Sequence, residues 1–149
     1  MTTKQQIDQF LANEPIAMAG VSRNPKKFGR MAFEELTRKG LKLIPINPNV
    51  ESINGIACYP GVGQLPEGVR SLMIMTKKDQ TANVLRDALA KGIKHIWIQQ
   101  SSDTPEALEL IKGKDLNVIT GQCILMHHEP TGFHKFHRNL KRFFGSLPR

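Results

Sequence analysis

The amino-acid sequence predicts an α/β fold: a doubly wound, mainly parallel sheet of five or more strands with helices on both faces. Two observations lead to this prediction. Five short apolar runs, rich in Ile and Val, are bounded by turn residues, as strands usually are. Stretches with the helical spacing of apolar residues lie between them. Strands that alternate with helices form βαβ crossovers, which leave parallel strands side by side with both faces covered.

The predicted strands are short, apolar and flanked by residues that favour turns. In chain order they are IAMAG (16–20), LKLIPI (41–46), SLMIM (71–75), HIWI (95–98) and NVIT (117–120). The stretches between most of them are long enough to hold the crossover helices that a parallel sheet requires.

The predicted helices begin and end at residues that favour helix termini. A first helix, 4–12, precedes the first strand, and the others lie within 26–40, 79–92 and 103–114. The second and third end at Gly40 and Gly92, which are typical C-terminal signals. We expect Asp79 to cap the third helix and Asp103 or Thr104 to cap the fourth.

Two stretches do not follow this alternation. The Pro and Gly content of 48–69 predicts a loop with one short helix. The stretch 131–145 predicts a basic C-terminal helix that packs on the domain through an apolar stripe including Phe133, Phe136 and Leu140. Because no repeat, low-complexity segment or linker interrupts the chain, we expect a single domain over 1–149.

The composition places the chain among globular proteins, with 149 residues, 40% hydrophobic and 23% charged. No apolar run approaches the roughly 20 residues that a membrane span needs. The N-terminal residues lack the apolar region of a signal peptide, so we expect a cytoplasmic protein. Two cysteines, Cys58 and Cys123, without metal-type spacing, fit a reducing compartment.

The net charge of +8 indicates an anionic partner. The charge is concentrated in two places. Between Arg23 and Lys42, seven Lys or Arg stand against two Glu, and between Thr131 and Arg149 five stand against none. The first cluster follows the first predicted strand and therefore lies where such folds bind ligands.

The turn after the first strand has the features of a phosphate-binding loop. Gly20 allows a sharp turn and a close approach of the backbone to a ligand. Ser22 supplies a hydroxyl, the amides at the start of the following helix carry partial positive charge, and Lys26 and Lys27 add full charges. The alternative is a connecting loop whose lysines are merely solvated.

The fingerprints of two nucleotide-binding classes are absent. In the dinucleotide pattern G-x-G-x-x-G, Ser22 stands where the second glycine belongs, and the next glycine is Gly29. The second strand ends PINPN, without the acid that would hold an NAD ribose. No G-x-x-x-x-G-K-[ST] loop occurs, which disfavours hydrolysis of nucleoside triphosphates.

The stretch IAMAGVSRNPKKFGRMAFEELTRKGLKLIPINPN resembles the start of the small stand-alone CoA-binding proteins, whose Rossmann-like domain is shared with the α-subunit of succinyl-CoA synthetase. Further similar segments are GIACYPGVGQLPEGV, ALAKGIKHIWIQ and LNVITGQCILMHH. The resemblance covers about 16–129. The order of these segments along the chain, more than any one motif, carries the resemblance.

The resemblance implies a cofactor site at the ends of three strands. The first turn would hold the pyrophosphate, the end of the second strand would lie by the adenosine, and the end of the third would form the opposite wall. The expected binding residues are Gly20, Val21, Ser22, Arg23, Lys26, Lys27, Phe28, Gly29, Asn47, Pro48, Thr76 and Lys77.

The sequence departs from the family at two places. Family members often carry Phe-Arg where Thr76-Lys77 stands, and a glycine soon after the fourth strand, where this chain has QQSS (99–102). Glycine lets a backbone or ligand approach closely, and Gln100 or Ser101 does so less freely. The departures concern the base pocket and the path of the pantetheine arm.

The resemblance implies that the chain binds coenzyme A or an acyl-CoA without catalysis. The synthetase relatives need a phosphorylated histidine domain and a partner subunit, and this chain has no room for either. An NAD(P)-binding enzyme or redox sensor is the alternative reading. A protein that binds anions or nucleic acid through its basic tail is a further one, although no nucleic-acid-binding pattern supports it. Homo-oligomer formation stays open.

The remaining candidate side chains do not define a catalytic or metal site. Four histidines, His127, His128, His134 and His137, fall within eleven residues, but no Cys, Asp or HExxH pattern completes a metal site. Cys123 either faces the thiol end of a bound CoA or is a small buried thiol, which is the commoner fate of a free cysteine.

Overall fold

A computed structural model describes residues 2–127. In chain order, its elements are α1 (Lys4–Ala12), β1 (Ile16–Ala19), α2 (Phe28–Arg38), β2 (Leu43–Ile46), β3 (Ser52–Ile53), β4 (Ile56–Ala57), β5 (Ser71–Ile74), α3 (Lys78–Lys91), β6 (His95–Gln99), α4 (Pro105–Ile111) and β7 (Asn117–Gln122). Two 3-10 turns, Val62–Gln64 and Ile124–Met126, complete the secondary structure of residues 2–127. All five predicted strands and the four predicted helices before residue 127 are present, with ends that differ by a few residues.

The main sheet has five parallel strands in the order β2-β1-β5-β6-β7, which confirms the predicted Rossmann-like α/β fold. Strand β1 pairs with β2 on one side and with β5 on the other, with Ile16 opposite both Leu43 and Ser71. The chain therefore adds β2 on one side of β1, crosses back, and adds β5, β6 and β7 on the other side. The strand order reverses between β1 and β5, and this reversal leaves a crevice beyond their carboxyl ends.

Alternating side chains of the strands build one apolar core on each face of the sheet. In β1, Ile16 and Met18 pack on the face covered by α1 and α2, with Phe10 and Phe33 in the same cluster. The neighbouring residues of β1 point the other way and pack with Leu85 of α3 and with α4. Helices thus cover both faces, as the period-two pattern of buried strands requires.

The irregular stretch 48–69 contains a hairpin that the sequence analysis missed. Strands β3 and β4 meet at Asn54 and Gly55, whose φ values of 51° and 78° are those of a type I′ turn. Asn-Gly is the strongest short signal for such a hairpin, so it was detectable in the sequence. The chain then runs along β2, where the Asn47 amide donates to the Tyr59 carbonyl at 2.9 Å. The predicted short helix corresponds to the 3-10 turn Val62–Gln64.

Helix caps agree with the sequence at α4 and differ from it at α3. Thr104 caps α4, because its side chain accepts a hydrogen bond from the Ala107 amide at 3.1 Å. Asp79 was expected to cap α3, and that expectation is wrong: Lys77 is the N-cap residue and Asp79 lies inside the first turn. An acidic residue in the first turn stabilises a helix through the helix dipole. Asp79 therefore marks the start of α3, but it lies two positions after the N-cap residue.

The predicted tail helix 131–145 and the histidines His128, His134 and His137 lie outside the described residues. The prediction of one domain over 1–149 also extends beyond them. Within residues 2–127, no helix has the length and apolar character needed to cross a membrane.

Candidate functional site

A crevice of about 1170 Å³ lies at the carboxyl ends of the strands, where the strand order reverses. Ten of the twelve binding residues expected from the sequence line it: Gly20, Val21, Ser22, Lys27, Phe28, Gly29, Asn47, Pro48, Thr76 and Lys77. The other two, Arg23 and Lys26, are exposed and do not belong to the lining. The structure therefore brings the three expected strand ends together at one place.

The two glycines of the first turn are required by the packing of the backbone. Gly20 has a φ of 90°, and a Cβ atom there would lie 2.5 Å from the backbone carbonyl atoms of Met75 at the end of β5. A Cβ atom on Gly29 would lie 2.1 Å from the carbonyl oxygen of Gly20. Gly20 thus allows β1 and β5 to approach each other, and a side chain there would strike protein before it reached a ligand.

Ser22 keeps its hydroxyl proton for a partner in the crevice. The Asn24 amide donates to Ser22 Oγ at 3.0 Å, and the Lys26 amide donates to Asn24 Oδ1 at 3.0 Å. The serine oxygen therefore accepts a bond from the protein. Because a hydroxyl carries one donor and two acceptor positions, Ser22 can still donate to an oxygen atom of a ligand.

The carbonyl oxygens of the same turn are held by two side chains. Asn47 Nδ2 donates to the Val21 oxygen at 2.8 Å. Arg30 Nη1 lies 3.4 Å from the Ser22 oxygen and 3.1 Å from the Arg23 oxygen. Arg30, one of the seven basic residues between Arg23 and Lys42, has a side chain that is only 14% exposed.

Arg30 is itself held by Glu34 and by the hairpin turn. Its Nε lies 2.7 Å from Glu34 Oε1, and its Nη2 lies 3.2 Å from Asn54 Oδ1. Asn54 Nδ2 in turn donates to Glu34 at 3.1 Å. Hydrogen bonds from Asn54 and then from Arg30 hold the pKa of Glu34 below its ordinary value, so this carboxylate stays charged.

The amino ends of α2 and α3 face the crevice and have no side-chain cap. Lys27 and Lys77 are the N-cap residues of α2 and α3, and neither helix has a side chain bonded to its first amides. By contrast, Thr3 caps α1 and Thr104 caps α4. The first amides of a helix lack partners within it and carry partial positive charge, so the two open ends suit an anion.

The lining is charged on one side and mostly neutral on the other. Lys27 and Lys77 provide the cations next to the two helix ends. Neutral polar side chains and a thiol follow where β6 and β7 end: Gln99, Gln100, Ser101, Ser102 and Cys123. A carboxylate, Asp87, enters the lining from α3, away from the amino end of that helix.

Thr76 lies between these two halves and offers an acceptor to the crevice. Its hydroxyl is 3.0 Å from that of Thr81, and Thr81 donates its single proton to the Ser102 carbonyl at 2.7 Å. Thr76 must then donate to Thr81. The lone pairs of its hydroxyl oxygen are then available to an N–H or O–H group of a ligand, whereas a phosphate oxygen would find no proton there.

Ser101 lies within the stretch 99–102, in which the resemblance led us to expect a glycine. Its φ of 75° lies in the left-handed region, where glycine is favoured and other residues are uncommon. The backbone therefore keeps the shape that glycine would adopt, and a serine side chain is added to the crevice wall. Such strained residues concentrate at functional sites.

The two cysteines differ in their surroundings. Cys123 is 6% exposed and lines the crevice, so it is both a buried thiol and a neighbour of the candidate site. Cys58 is half-buried, and burial raises the pKa of its thiol. His127 lies 3.1 Å from Gln122 Oε1 and packs against Trp97. Within residues 2–127, no group of three or more His, Cys, Asp or Glu side chains is placed to hold a metal ion.

Several lining residues were not expected from the sequence. On α3, Gln80, Asn83, Val84 and Asp87 share one helical face, which their spacing would have shown once Lys77 was placed at the site. Other additions come from more distant segments: Met31, Ile46, Asn49, Pro60, Gly61, Val62 and Met126. No local pattern marks the second group, because the folding of 48–69 brings Pro60 to Val62 into place.

The chain is similar to several known proteins. A family model described as CoA binding domain matches residues 14–129. The uncharacterised protein YneT of Bacillus subtilis is 24% identical over 130 residues, which cover 87% of this chain and 96% of YneT.

Two archaeal proteins extend the comparison. The α-subunit of the ADP-forming acetate–CoA ligase II of Pyrococcus furiosus is 26% identical over 149 residues, which cover 93% of this chain but only 31% of that subunit. A solved structure of a conserved hypothetical protein from Pyrococcus furiosus has a TM-score of 0.72 and 29% identity, and the match covers 75% of this chain and 97% of that one.

Proposed function

This chain belongs to the CoA-binding domain family, and on that basis we propose that it binds coenzyme A or an acyl-CoA in the crevice without catalysing a reaction on it. The observation that carries the proposal is the convergence of two uncapped helix ends, each with a lysine at its N-cap, on the point where the strand order reverses. Ligands of open α/β sheets bind at such points.

The charged half of the crevice supports a diphosphate. Ser22 has a proton to donate, and the first amides of α2 and α3 are not capped by side chains. Lys27 and Lys77 add charge at the same place. Arg23 and Lys26, outside the lining, would act on a bound anion only through the longer-range field, which salt screens.

The neutral half supports the pantetheine arm of CoA. Thr76 presents an acceptor, and the arm contains amide N–H groups that need one. Beyond Thr76, the polar wall formed by residues 99–102 leads to Cys123. The crevice volume of about 1170 Å³ exceeds the roughly 300–1,000 Å³ of ordinary small-molecule pockets and leaves room for a long ligand.

Calorimetric titration with CoA, dephospho-CoA and NAD tests the proposal. We expect affinity in that order, because CoA carries a 3′-phosphate that the other two lack and the site is cationic. Equal affinity for CoA and dephospho-CoA would keep the site but show that its cations do not read the 3′-phosphate. Tighter binding of NAD than of CoA would overturn the proposal in favour of an NAD(P)-binding protein.

A matched pair of variants links binding to the crevice. Ser22→Ala removes the hydroxyl that faces the ligand and should lower CoA affinity. Ser52→Ala removes an exposed hydroxyl of β3, outside the lining, and should leave the affinity unchanged. Equal effects of both variants would place the ligand elsewhere.

The basic tail requires a separate test. Removing residues 131–149 should leave CoA affinity intact if the described crevice is the whole site. Loss of binding to DNA or anionic vesicles on the same deletion would support the reading of the tail as an anion-binding segment. We also propose a cytoplasmic location, which the low cysteine content supports.

A further inference from the structure

The first turn of the crevice carries three successive carbonyl oxygens that an anion would avoid. A backbone oxygen has a partial negative charge, so its presence beside a phosphate weakens binding unless a donor occupies it. In this chain, all three have donors: Asn47 occupies that of Val21, and Arg30 lies by those of Ser22 and Arg23. Both donors come from outside the turn.

We propose that Arg30 is a positioning residue for the anion site, which holds the Ser22 and Arg23 carbonyls so that the turn presents donors to a diphosphate. The proposal rests on the proposed function, because it assumes that a diphosphate occupies this part of the crevice. Arg30 does not line the crevice, so it acts through the turn and does not contact the ligand.

The surroundings of Arg30 favour this role over that of a ligand cation. Glu34 pairs with its Nε and stays charged, so the pair has little net charge to offer an anion. The guanidinium contacts Glu34, Asn54 and the two carbonyls at the same time. A planar group with five donors is suited to such a junction, and a lysine ammonium cannot reproduce it.

Asn54, in the turn between β3 and β4, connects the hairpin to Arg30 and Glu34. Its side chain bridges Arg30 and Glu34 from a backbone with φ of 51°, a conformation that glycine adopts without strain. Asn54→Gly therefore removes the support of Arg30 while it preserves the turn. This variant tests the same contact without a change in the arginine itself.

The experiment measures CoA and inorganic pyrophosphate binding to the full chain and to variants Arg30→Gln, Arg30→Lys, Asn54→Gly and Arg38→Gln. Arg38 is an exposed residue of the same helix, so its variant controls for the loss of one positive charge. We expect Arg30→Gln to weaken both ligands by about tenfold, as the loss of hydrogen bonds that organise a charged site does. Arg30→Lys should not restore affinity, and Asn54→Gly should cause a smaller loss.

Binding measurements at high salt distinguish a positioning role of Arg30 from an effect of its charge alone. At about 1 M salt the Debye length is about 3 Å, so an effect due to distant charge disappears while a positioning effect persists. Equal losses in Arg30→Gln and Arg38→Gln, rescue by Arg30→Lys, or disappearance of the loss at high salt would each overturn the proposal. If Arg30→Gln does not fold, Arg30→Lys and Asn54→Gly decide by the same criteria. Failure of the unaltered protein to bind either ligand would overturn the proposed function as well.

Discussion

Lys26 and Lys27 are adjacent in the sequence but have different places in the structure. Both side chains are exposed, but Lys27 is the N-cap of α2 and lines the crevice, whereas Lys26 lies outside the lining. We expect Lys27→Ala to weaken CoA binding by about threefold to tenfold at low salt and Lys26→Ala by less than about twofold, because exposed charges contribute little at a distance. Titration of both variants at two salt concentrations checks this. Equal losses would mean that the two act only through net charge.

Gly20 is the residue at which a substitution should damage the fold before it damages binding. In Gly20→Ala, the added methyl group would meet the backbone of Met75 and would occupy a left-handed conformation. We expect the free energy of unfolding to fall by at least about 2 kcal/mol. Urea denaturation measures the change, and Gly63→Ala, where no atom lies within 4 Å of the new Cβ, is the control. Similar stability of the two variants would contradict the close approach of β1 and β5.

The four helices within residues 2–127 differ in how their amino ends are satisfied, and this difference follows their place in the fold. The ends of α1 and α4 are closed by threonine side chains, whereas those of α2 and α3 open into the crevice without such caps. A cap and a bound anion compete for the same amides. A helix whose amino end is left uncapped at a binding site is therefore less stable, but its amides remain free to bind an anion.

A side-chain cap on α3 should raise the stability of the protein and lower its affinity for CoA. Lys77→Ser places a good N-cap side chain on an extended backbone, so we expect the free energy of unfolding to rise by about 1 kcal/mol. CoA affinity should fall, because the serine takes amides that the ligand needs and a crevice cation is lost. Thermal unfolding and calorimetry on the same preparations measure both effects.

Lys78→Ser is the control for Lys77→Ser, because it removes the same charge one residue later, outside the lining. It should neither cap α3 nor reduce affinity to the same extent. If the two variants bind CoA equally well, the open end of α3 takes no part in binding.

Helix α1 is hydrogen-bonded to the amino ends of the sheet strands, on the side of the sheet opposite the crevice. Asn117 Nδ2 donates to the Gln6 carbonyl at 3.0 Å and lies 3.2 Å from His95 Nδ1. Burial, and then the charge of Arg70, lower the pKa of His95 below its ordinary value of 6.5. A neutral imidazole can accept the Asn117 proton, and a charged one cannot.

This arrangement predicts a loss of stability in acid. Because the folded protein disfavours protonation of His95, it binds fewer protons than the unfolded chain below about pH 6.5, and the free energy of unfolding falls as the pH falls through that range. His95→Gln removes the titrating group and should flatten the dependence between about pH 7 and pH 5. Urea denaturation of both proteins at each pH measures it. Parallel curves would show that other groups cause the acid sensitivity.

The order of strands and helices was predictable because it depends on residues close together in the chain. Apolar runs such as SLMIM and HIWI correspond to β5 and β6, and Gly92, with a φ of 83°, ends α3 as expected. The Asn-Gly hairpin was equally local and could have been found. The three strand ends were also predictable, since parallel strands bring their carboxyl ends to one edge of a sheet.

The surroundings of individual site residues were decided only by the tertiary structure. In the sequence, Arg30 is one member of the basic cluster from Arg23 to Lys42. Its hydrogen bond with Asn54 joins positions 24 residues apart. Thr76 becomes an acceptor because Thr81 donates to the Ser102 carbonyl, 21 residues further along the chain. Gly20 is required by the backbone at the end of β5. Sequence patterns report what each residue prefers locally, whereas the direction of a proton or the room for a methyl group depends on atoms that only folding brings together.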